Sequence, residues 1–139
     1  LAAGRTANFR ADSATVIRST RVGPKAAGFQ EGKLVSTAIV ASTTQTLAGA
    51  TALSAEINVV GTSANSGDAV KLPAMNVGES CEVYNDGANP ISVFPNSSGG
   101  AIDGGSAGAA VTLTNAKRAK FTQVSSTAVK SAQLGVVSA

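Results

Sequence analysis

Along most of the chain, apolar and polar residues alternate with a period of two. The alternation is clearest in residues 79–84 and 91–94, and such a pattern is typical of β-strands with one buried face. A loop of odd length centred on Gly87 keeps both apolar faces on the same side of a sheet. The pattern therefore predicts an antiparallel hairpin in which Val83 lies opposite Ile91.

The remaining alternating segments predict further strands. Residues 109–114 and 118–122 alternate on either side of a turn at 115–117, which predicts a second hairpin. Turn-forming residues recur about every ten positions, as in sandwiches and barrels. We therefore predict an all-β protein built as an antiparallel β-sandwich or barrel-like domain, with additional strands at residues 34–41, 56–60, 69–72 and 129–134.

Three segments do not follow the alternation. Residues 46–56 fit a short helix or a loop, because helical spacing is interrupted by Gly49. Residues 97–108 are rich in glycine and serine, which predicts a long flexible connection. The uncharged end of the chain, residues 131–139, is expected to close a sheet or pack against a neighbour, because a free apolar tail would be prone to aggregation.

Two aromatic residues are predicted to point away from the core. In the first predicted hairpin, Tyr84 and Phe94 occupy the polar positions of the alternation, so both should lie on the outer face. Exposed aromatic side chains are frequent in contacts between proteins. We therefore take Tyr84 and Phe94 as candidate contacts with a second subunit or with a larger lattice.

Charge is distributed unevenly along the chain. Residues 1–33 contain six basic and two acidic side chains, whereas residues 34–139 contain five basic and six acidic ones. This divides the chain into an extended basic arm, residues 1–33, and a β-domain, residues 34–139. The arm has too few interleaved aromatic residues for nucleic acid to be the expected partner. It should contact an acidic protein surface through Arg5, Arg10, Arg18, Arg21 and Lys25.

The supply of bulky apolar residues is small for a chain of this length. Leu, Ile, Val and Phe together account for 31 of the 139 residues. A core built from so few large side chains gains little free energy from burial. The composition therefore predicts that the protein assembles into a homo-oligomer.

The side chains that support most enzymatic chemistry are absent or scattered. The sequence contains no histidine, and its single cysteine, Cys81, excludes an intrachain disulfide and a thiolate cluster. The acidic residues are distributed over turns and strand faces without a metal-ligand spacing. The sequence contains no run of 18 apolar residues, so it predicts no membrane span. We expect no enzymatic activity, no metal, no cofactor and no small-molecule substrate.

Several segments, taken in order, resemble a β-rich module of virion proteins from tailed bacteriophages. The likeness covers roughly residues 47–134 and includes small head-decoration (cement) proteins and head fibres. Its markers are a Leu-Pro after a Gly-Asp turn, an Asn-x-Gly-Ala-Asn hairpin leading to a Val-Phe-Pro strand, an Ile-Asp/Asn-Gly turn, and a Val-x-Leu strand followed by a lysine-rich hairpin. They stand here in TALSAEINVV, GDAVKLPAMNVGESCEVYNDGANPISVFP, GGAIDGG and AVTLTNAKRAKFTQV.

The resemblance implies a structural virion protein located on the capsid surface. It implies a trimeric assembly, the major capsid protein as partner, and stabilisation of the assembled shell. An alternative within the same group of proteins is a tail or fibre component whose β-domain binds a host receptor or glycan.

Overall fold

A computed structural model describes residues 32–134 of the protein, and within this range the chain forms β-strands and no helix. The strands are β1 (Val35–Val40), β2 (Thr51–Ala52), β3 (Ile57–Thr62), β4 (Asp68–Lys71), β5 (Ser80–Asn85), β6 (Ile91–Phe94), β7 (Ala101–Ile102), β8 (Val111–Leu113), β9 (Lys117–Gln123) and β10 (Ala128–Leu134). They form a six-stranded sheet in the order β1-β3-β5-β9-β10-β7 and a four-stranded sheet in the order β2-β4-β6-β8. The predicted all-β class is confirmed.

The first six strands alternate between the two sheets and coil like a solenoid. In the larger sheet β1, β3 and β5 are parallel neighbours, and in the smaller sheet β2, β4 and β6 are parallel neighbours. Apart from an isolated bridge between Ser42 and Ala69, antiparallel pairing in the described residues appears only afterwards, where β8 joins β6 and β9 lies between β5 and β10. The architecture is therefore a β-solenoid closed by antiparallel strands, and the prediction of an antiparallel sandwich or barrel is wrong in its connectivity.

The first predicted hairpin is replaced by an arch between the sheets. Val83 lies beside Asn58 and Ala119 in the larger sheet, whereas Ile91 lies beside Asp68 and Leu113 in the smaller one. Val83 and Ile91 are both fully buried and belong to one core cluster. Both side chains lie in the core, but their strands form no hydrogen bonds to each other. The alternation determines which side chains are buried, and it does not determine which strands pair.

The turn between β5 and β6 packs closely against the preceding coil of the solenoid. Asn85 accepts a hydrogen bond from the Gly87 backbone N–H, 3.1 Å away, which closes a local Asx turn. A Cβ atom at Gly87 would lie 2.8 Å from the backbone nitrogen of Ser63, so glycine is required by this close approach. The Ser63 hydroxyl donates to the Asn89 carbonyl and accepts from the Asn89 N–H. These contacts stack one turn of the solenoid on the next.

The second predicted hairpin is also an arch, because its two strands belong to different sheets. The strand that contains Val111 pairs with β6 in the smaller sheet, whereas β9 pairs with β5 in the larger one. Between them Ala116 adopts a left-handed conformation, with φ of 61°, and its N–H donates to the carbonyl of Asn85. The strands were predicted correctly at both places, and their partners were not.

The segments without alternation are also ordered. Residues 46–56 contain a turn followed by β2 and no helix. The glycine-rich segment contains β7, whose Ile102 is buried in the core, so the prediction of a long flexible connection is wrong. At the end of the chain Ser131 to Leu134 belong to β10 and pair with β9, which confirms that this part closes a sheet; residues 135–139 lie outside the described range.

The core between the two sheets is built mainly from small side chains. Phe121 is the largest fully buried side chain, and it is accompanied by Leu72, Ile91 and several valines. Asn58, Asp68 and Asn85 are also fully buried, and each forms hydrogen bonds to the backbone of neighbouring turns. Much of the specificity of this fold therefore comes from buried polar contacts at the turns.

Candidate functional site

The outer face of the six-stranded sheet carries the most distinctive exposed surface of the described domain. Successive residues of a strand point to opposite sides of a sheet, so the residues next to the buried positions face outward. Two rows cross the strands there, and their members are half-buried or exposed. We call this surface the outer face; its rows are Ile57, Glu82 and Lys120, and Val59, Tyr84 and Arg118.

Tyr84 is fixed in place by its neighbours on the outer face. Its hydroxyl donates a hydrogen bond to Glu82 Oε1 over 2.9 Å. The guanidinium carbon of Arg118 lies 5.4 Å from the centroid of the Tyr84 ring, within the range of a cation–π contact. The hydrogen bond to the Glu82 carboxylate raises the pKa of Tyr84, so the phenol stays protonated. A side chain that is already ordered loses little entropy when a partner binds.

Phe94 also points away from the core, but on the other side of the domain. It lies in β6 of the four-stranded sheet, beside Lys71, and it is half-buried. The sequence placed Tyr84 and Phe94 on one face because it placed their strands in one hairpin. The outward direction of both side chains is as predicted, whereas the shared surface is a wrong prediction, because the two strands belong to different sheets.

A shallow cleft of about 200 Å³ lies beside the first coil. Its lining combines the apolar side chains of Leu34 and Met75 with the carboxylates of Glu56 and Glu79, and it reaches Cys81. Burial raises the pKa of the Cys81 thiol to about 12, so the thiol remains protonated and is a poor nucleophile. In residues 32–134 no group of three His, Cys, Asp or Glu side chains could hold a metal ion.

The two buried or hydrogen-bonded aspartates have structural partners. The Asn65 backbone N–H donates to Asp68 over 2.9 Å and lowers its pKa. Burial acts to raise the pKa of Asp103, but hydrogen bonds from Ser131 outweigh it, so that the pKa of this carboxyl is lowered. Each carboxylate is thus held ionised, Asp68 by a contact within a turn and Asp103 by contacts with Ser131 of β10, which is a role in folding rather than in proton transfer.

The basic residues predicted to form the contact arm lie outside the described residues. This applies to Arg5, Arg10, Arg18, Arg21 and Lys25. Within residues 32–134 no helix is long and apolar enough to cross a membrane. Comparisons with protein-family models, with curated proteins and with solved structures found no match.

Proposed function

We propose that this protein is a structural component of a bacteriophage virion that binds the assembled capsid and stabilises it. The proposal is supported by the resemblance of residues 47–134 to head-decoration proteins. The observation that carries it furthest is the ordered outer face around Tyr84, whose ring is held at the surface by the Glu82 carboxylate and the Arg118 guanidinium. A trimer attached to the capsid surface, in contact with the major capsid protein, is the assembly we propose.

Stabilisation would follow from mass action. A protein that binds the assembled shell, and not its separated subunits, lowers the free energy of the assembled state in proportion to the logarithm of its concentration. Each contact can be weak, because several copies of it act together in a symmetric oligomer. The basic arm supplies long-range attraction to an acidic shell, and the outer faces of the sheets supply short-range contacts.

Neutralising the arm should weaken binding to the shell. We expect a variant with Arg5, Arg10, Arg21 and Lys25 changed to Gln to bind undecorated shells of the encoding phage about fourfold to several hundredfold more weakly. Each exposed ion pair contributes about 0.2–1 kcal/mol, and about 1.4 kcal/mol is a factor of ten. Sedimentation of the shells with bound protein, at low and at moderate salt, measures the affinity.

The control removes three charges from the domain, outside the two rows that define the outer face. In that variant Lys71, Lys117 and Lys130 become Gln, and the loss of binding per charge removed should be smaller than in the arm variant. Equal losses per charge in the two variants would show that net charge, and not the arm, determines binding. Unchanged binding by the arm variant would exclude the arm as a contact.

The two outward aromatic residues allow the contact faces to be separated. Tyr84→Phe removes the hydrogen bond to Glu82 but keeps the ring, whereas Tyr84→Ala removes both. If the larger sheet faces the shell or a second subunit, Tyr84→Ala should reduce shell binding or oligomerisation about tenfold or more, as expected for a central aromatic contact. Mass in solution and shell binding are measured together, and Phe94→Ala reports on the opposite side of the domain.

Glycan recognition by the same residue is less favoured. Sugars stack on an open aromatic face, and one face of the Tyr84 ring is already covered by the guanidinium of Arg118. A Tyr84-dependent signal on a glycan array, with shell binding unaffected, would reverse this preference and support a tail or fibre component.

A further inference from the structure

Exposed apolar side chains are concentrated at one end of the six-stranded sheet. Within residues 32–134 five large apolar side chains are exposed, and four of them lie where β1, β3 and β5 begin and β9 ends: Leu34, Val35, Val77 and Val124. We call these four residues the apolar rim. Met75, which lines the cleft together with Leu34, lies two residues before Val77 and connects the members of the rim. A single exposed apolar residue is ordinary, whereas a group of them marks a surface that another protein covers.

The turn that carries Val77 is fixed by hydrogen bonds. The Glu79 N–H donates to the Asn76 carbonyl over 3.0 Å, and Gly78, with φ of 96°, occupies the turn position that requires a positive φ. The Gly78 N–H donates to the Gln123 carbonyl at the end of β9 over 2.8 Å. Val77 forms the tip of this turn and is 63% exposed. Since turns are normally built from Gly, Pro and small polar residues, an ordered valine at the tip favours a role in contact.

Val124 lies beside the same turn. It follows Gln123, whose carbonyl accepts the hydrogen bond from Gly78, and its own N–H donates to the Ala128 carbonyl over 2.9 Å. Val77 and Val124 are therefore the chain neighbours of one hydrogen-bonded pair, and both are held by the backbone around them. A surface that is already ordered loses little entropy when a partner binds.

A depression with balanced charge lies beside the apolar rim. Its charged lining residues are Glu56, Glu79, Lys33 and Lys120, and all four are exposed. The depression adjoins the cleft that Leu34 lines, because both glutamates line the two of them. Equal numbers of acidic and basic groups give little attraction to a partner of uniform charge. They are complementary to a second copy of the same surface, in which each carboxylate can face an ammonium group.

We propose that the apolar rim and this depression form the interface between copies of the chain. Rims that meet would bury each other's apolar side chains, and the charges of the two depressions would pair crosswise. The core supports this choice of partner, because it contains few bulky side chains and an interface between copies would bury further apolar surface. Rims can meet across a twofold axis or around the threefold axis of the proposed trimer. The inference rests on the surface of the domain, and it stands whether or not the protein decorates a capsid.

The mass of the full chain in solution tests the apolar part of the interface. We expect the protein to be oligomeric at micromolar concentrations, and Val77→Asp to raise the dissociation constant about tenfold or more, because it places an unpaired charge in an apolar contact. Val40→Asp is the matched control, since Val40 is the same residue type, is 58% exposed and lies at the opposite end of β1. It should leave the dissociation constant unchanged. A monomeric protein, or equal effects of the two substitutions, would overturn the proposal.

Exchange of charges tests the crosswise pairing. Glu56→Lys leaves the depression with three bases and one acid, and Lys33→Glu leaves it with three acids and one base. Each variant alone should associate about tenfold more weakly than the unchanged protein, because like charges would then face each other. An equimolar mixture should associate at least about tenfold more tightly than either variant alone. A mixture that associates no better than its components would contradict the pairing.

Shell binding separates this interface from the proposed capsid contact. If copies join through the apolar rim, the outer face around Tyr84 remains available for the shell. Tyr84→Ala should then weaken shell binding and leave the mass in solution unchanged. A Val77→Asp protein that keeps its mass but no longer binds shells would assign the rim to the shell protein and would overturn the interface between copies.

Discussion

Replacement of Phe121 by alanine is expected to lower the free energy of unfolding by about 3–5 kcal/mol, the usual cost of truncating a buried phenylalanine. Phe121 lies in the middle of β9, between Cys81 of β5 and Ser131 of β10, and 1% of its surface is exposed. The core cluster to which it belongs contains several valines and alanines, whose short side chains have little reach into a vacated space. The expected loss is a large fraction of the stability of a typical domain.

Urea unfolding of the full chain measures this effect, and Phe94→Ala provides the matched control. The same atoms are removed in both variants, but Phe94 is half-buried on the outer surface of the smaller sheet. We expect it to lose about 1 kcal/mol or less, since substitutions at the surface are usually mild. Equal losses at the two positions would contradict the assignment of Phe121 as the centre of the core.

The contrast between Phe121 and Phe94 shows what alternation in a sequence can predict. Strand positions and buried faces follow from residue type, because each strand must bury its own apolar side. Strand partners do not follow, because Val83 and Ile91 satisfy the same pattern whether they face each other across a ladder or across a core. A hairpin and an arch therefore show nearly the same alternation of apolar and polar residues.

Parallel pairing was missed for a related reason. The partner of Glu82 in the larger sheet is Ile57, a full coil earlier in the chain, and nothing local to either residue indicates it. The signal that was available is the spacing of the alternating segments, since paired residues of parallel strands lie 19 to 25 positions apart, together with asparagine and glycine at the turns. Such a signal becomes clear only when the length of one coil is known.

For the candidate contact residues, the outward direction was predicted correctly and the neighbouring contacts were not. The outward direction of Tyr84 required only the alternation, and the structure confirms it. The network that holds the ring could not be predicted, since Arg118 reaches Tyr84 through a pairing of β5 with β9 that the sequence did not indicate. Residue types thus identified the surface, whereas its organisation depends on contacts that are distant in sequence.

Buried asparagines hold the solenoid together where it turns, and Asn58 is the clearest case. Its Oδ1 accepts the N–H of Ala55 over 3.1 Å, and its Nδ2 donates to the Ala55 carbonyl over 2.7 Å and to the Glu82 carbonyl over 3.3 Å. Asn58 and Ala55 are both buried. The side chain therefore substitutes for a missing strand and also links one coil to the next.

Replacing Asn58 by leucine should destabilise the protein by about 2–5 kcal/mol, although it makes the core more apolar. Leucine has a similar size but leaves the N–H and the C=O of Ala55 buried without these partners, and each such group costs about 1–3 kcal/mol. The measurement is urea unfolding of the full chain. Asn96→Leu, at an exposed position, is the control and should change stability by about 0.5 kcal/mol or less.

A second substitution at the same position separates hydrogen bonding from packing. Asn58→Asp keeps the shape and the acceptor, but above the pKa of the new carboxyl it places a negative charge against the carbonyl oxygen of Ala55. Burial and this carbonyl should raise the folded-state pKa above the unfolded value, so the stability deficit is largest at neutral pH and shrinks as the pH falls and the carboxyl gains a proton to donate. A deficit that stays constant with pH would show that Asn58 acts through its volume alone, and the hydrogen bonds to Ala55 would then contribute little to the fold.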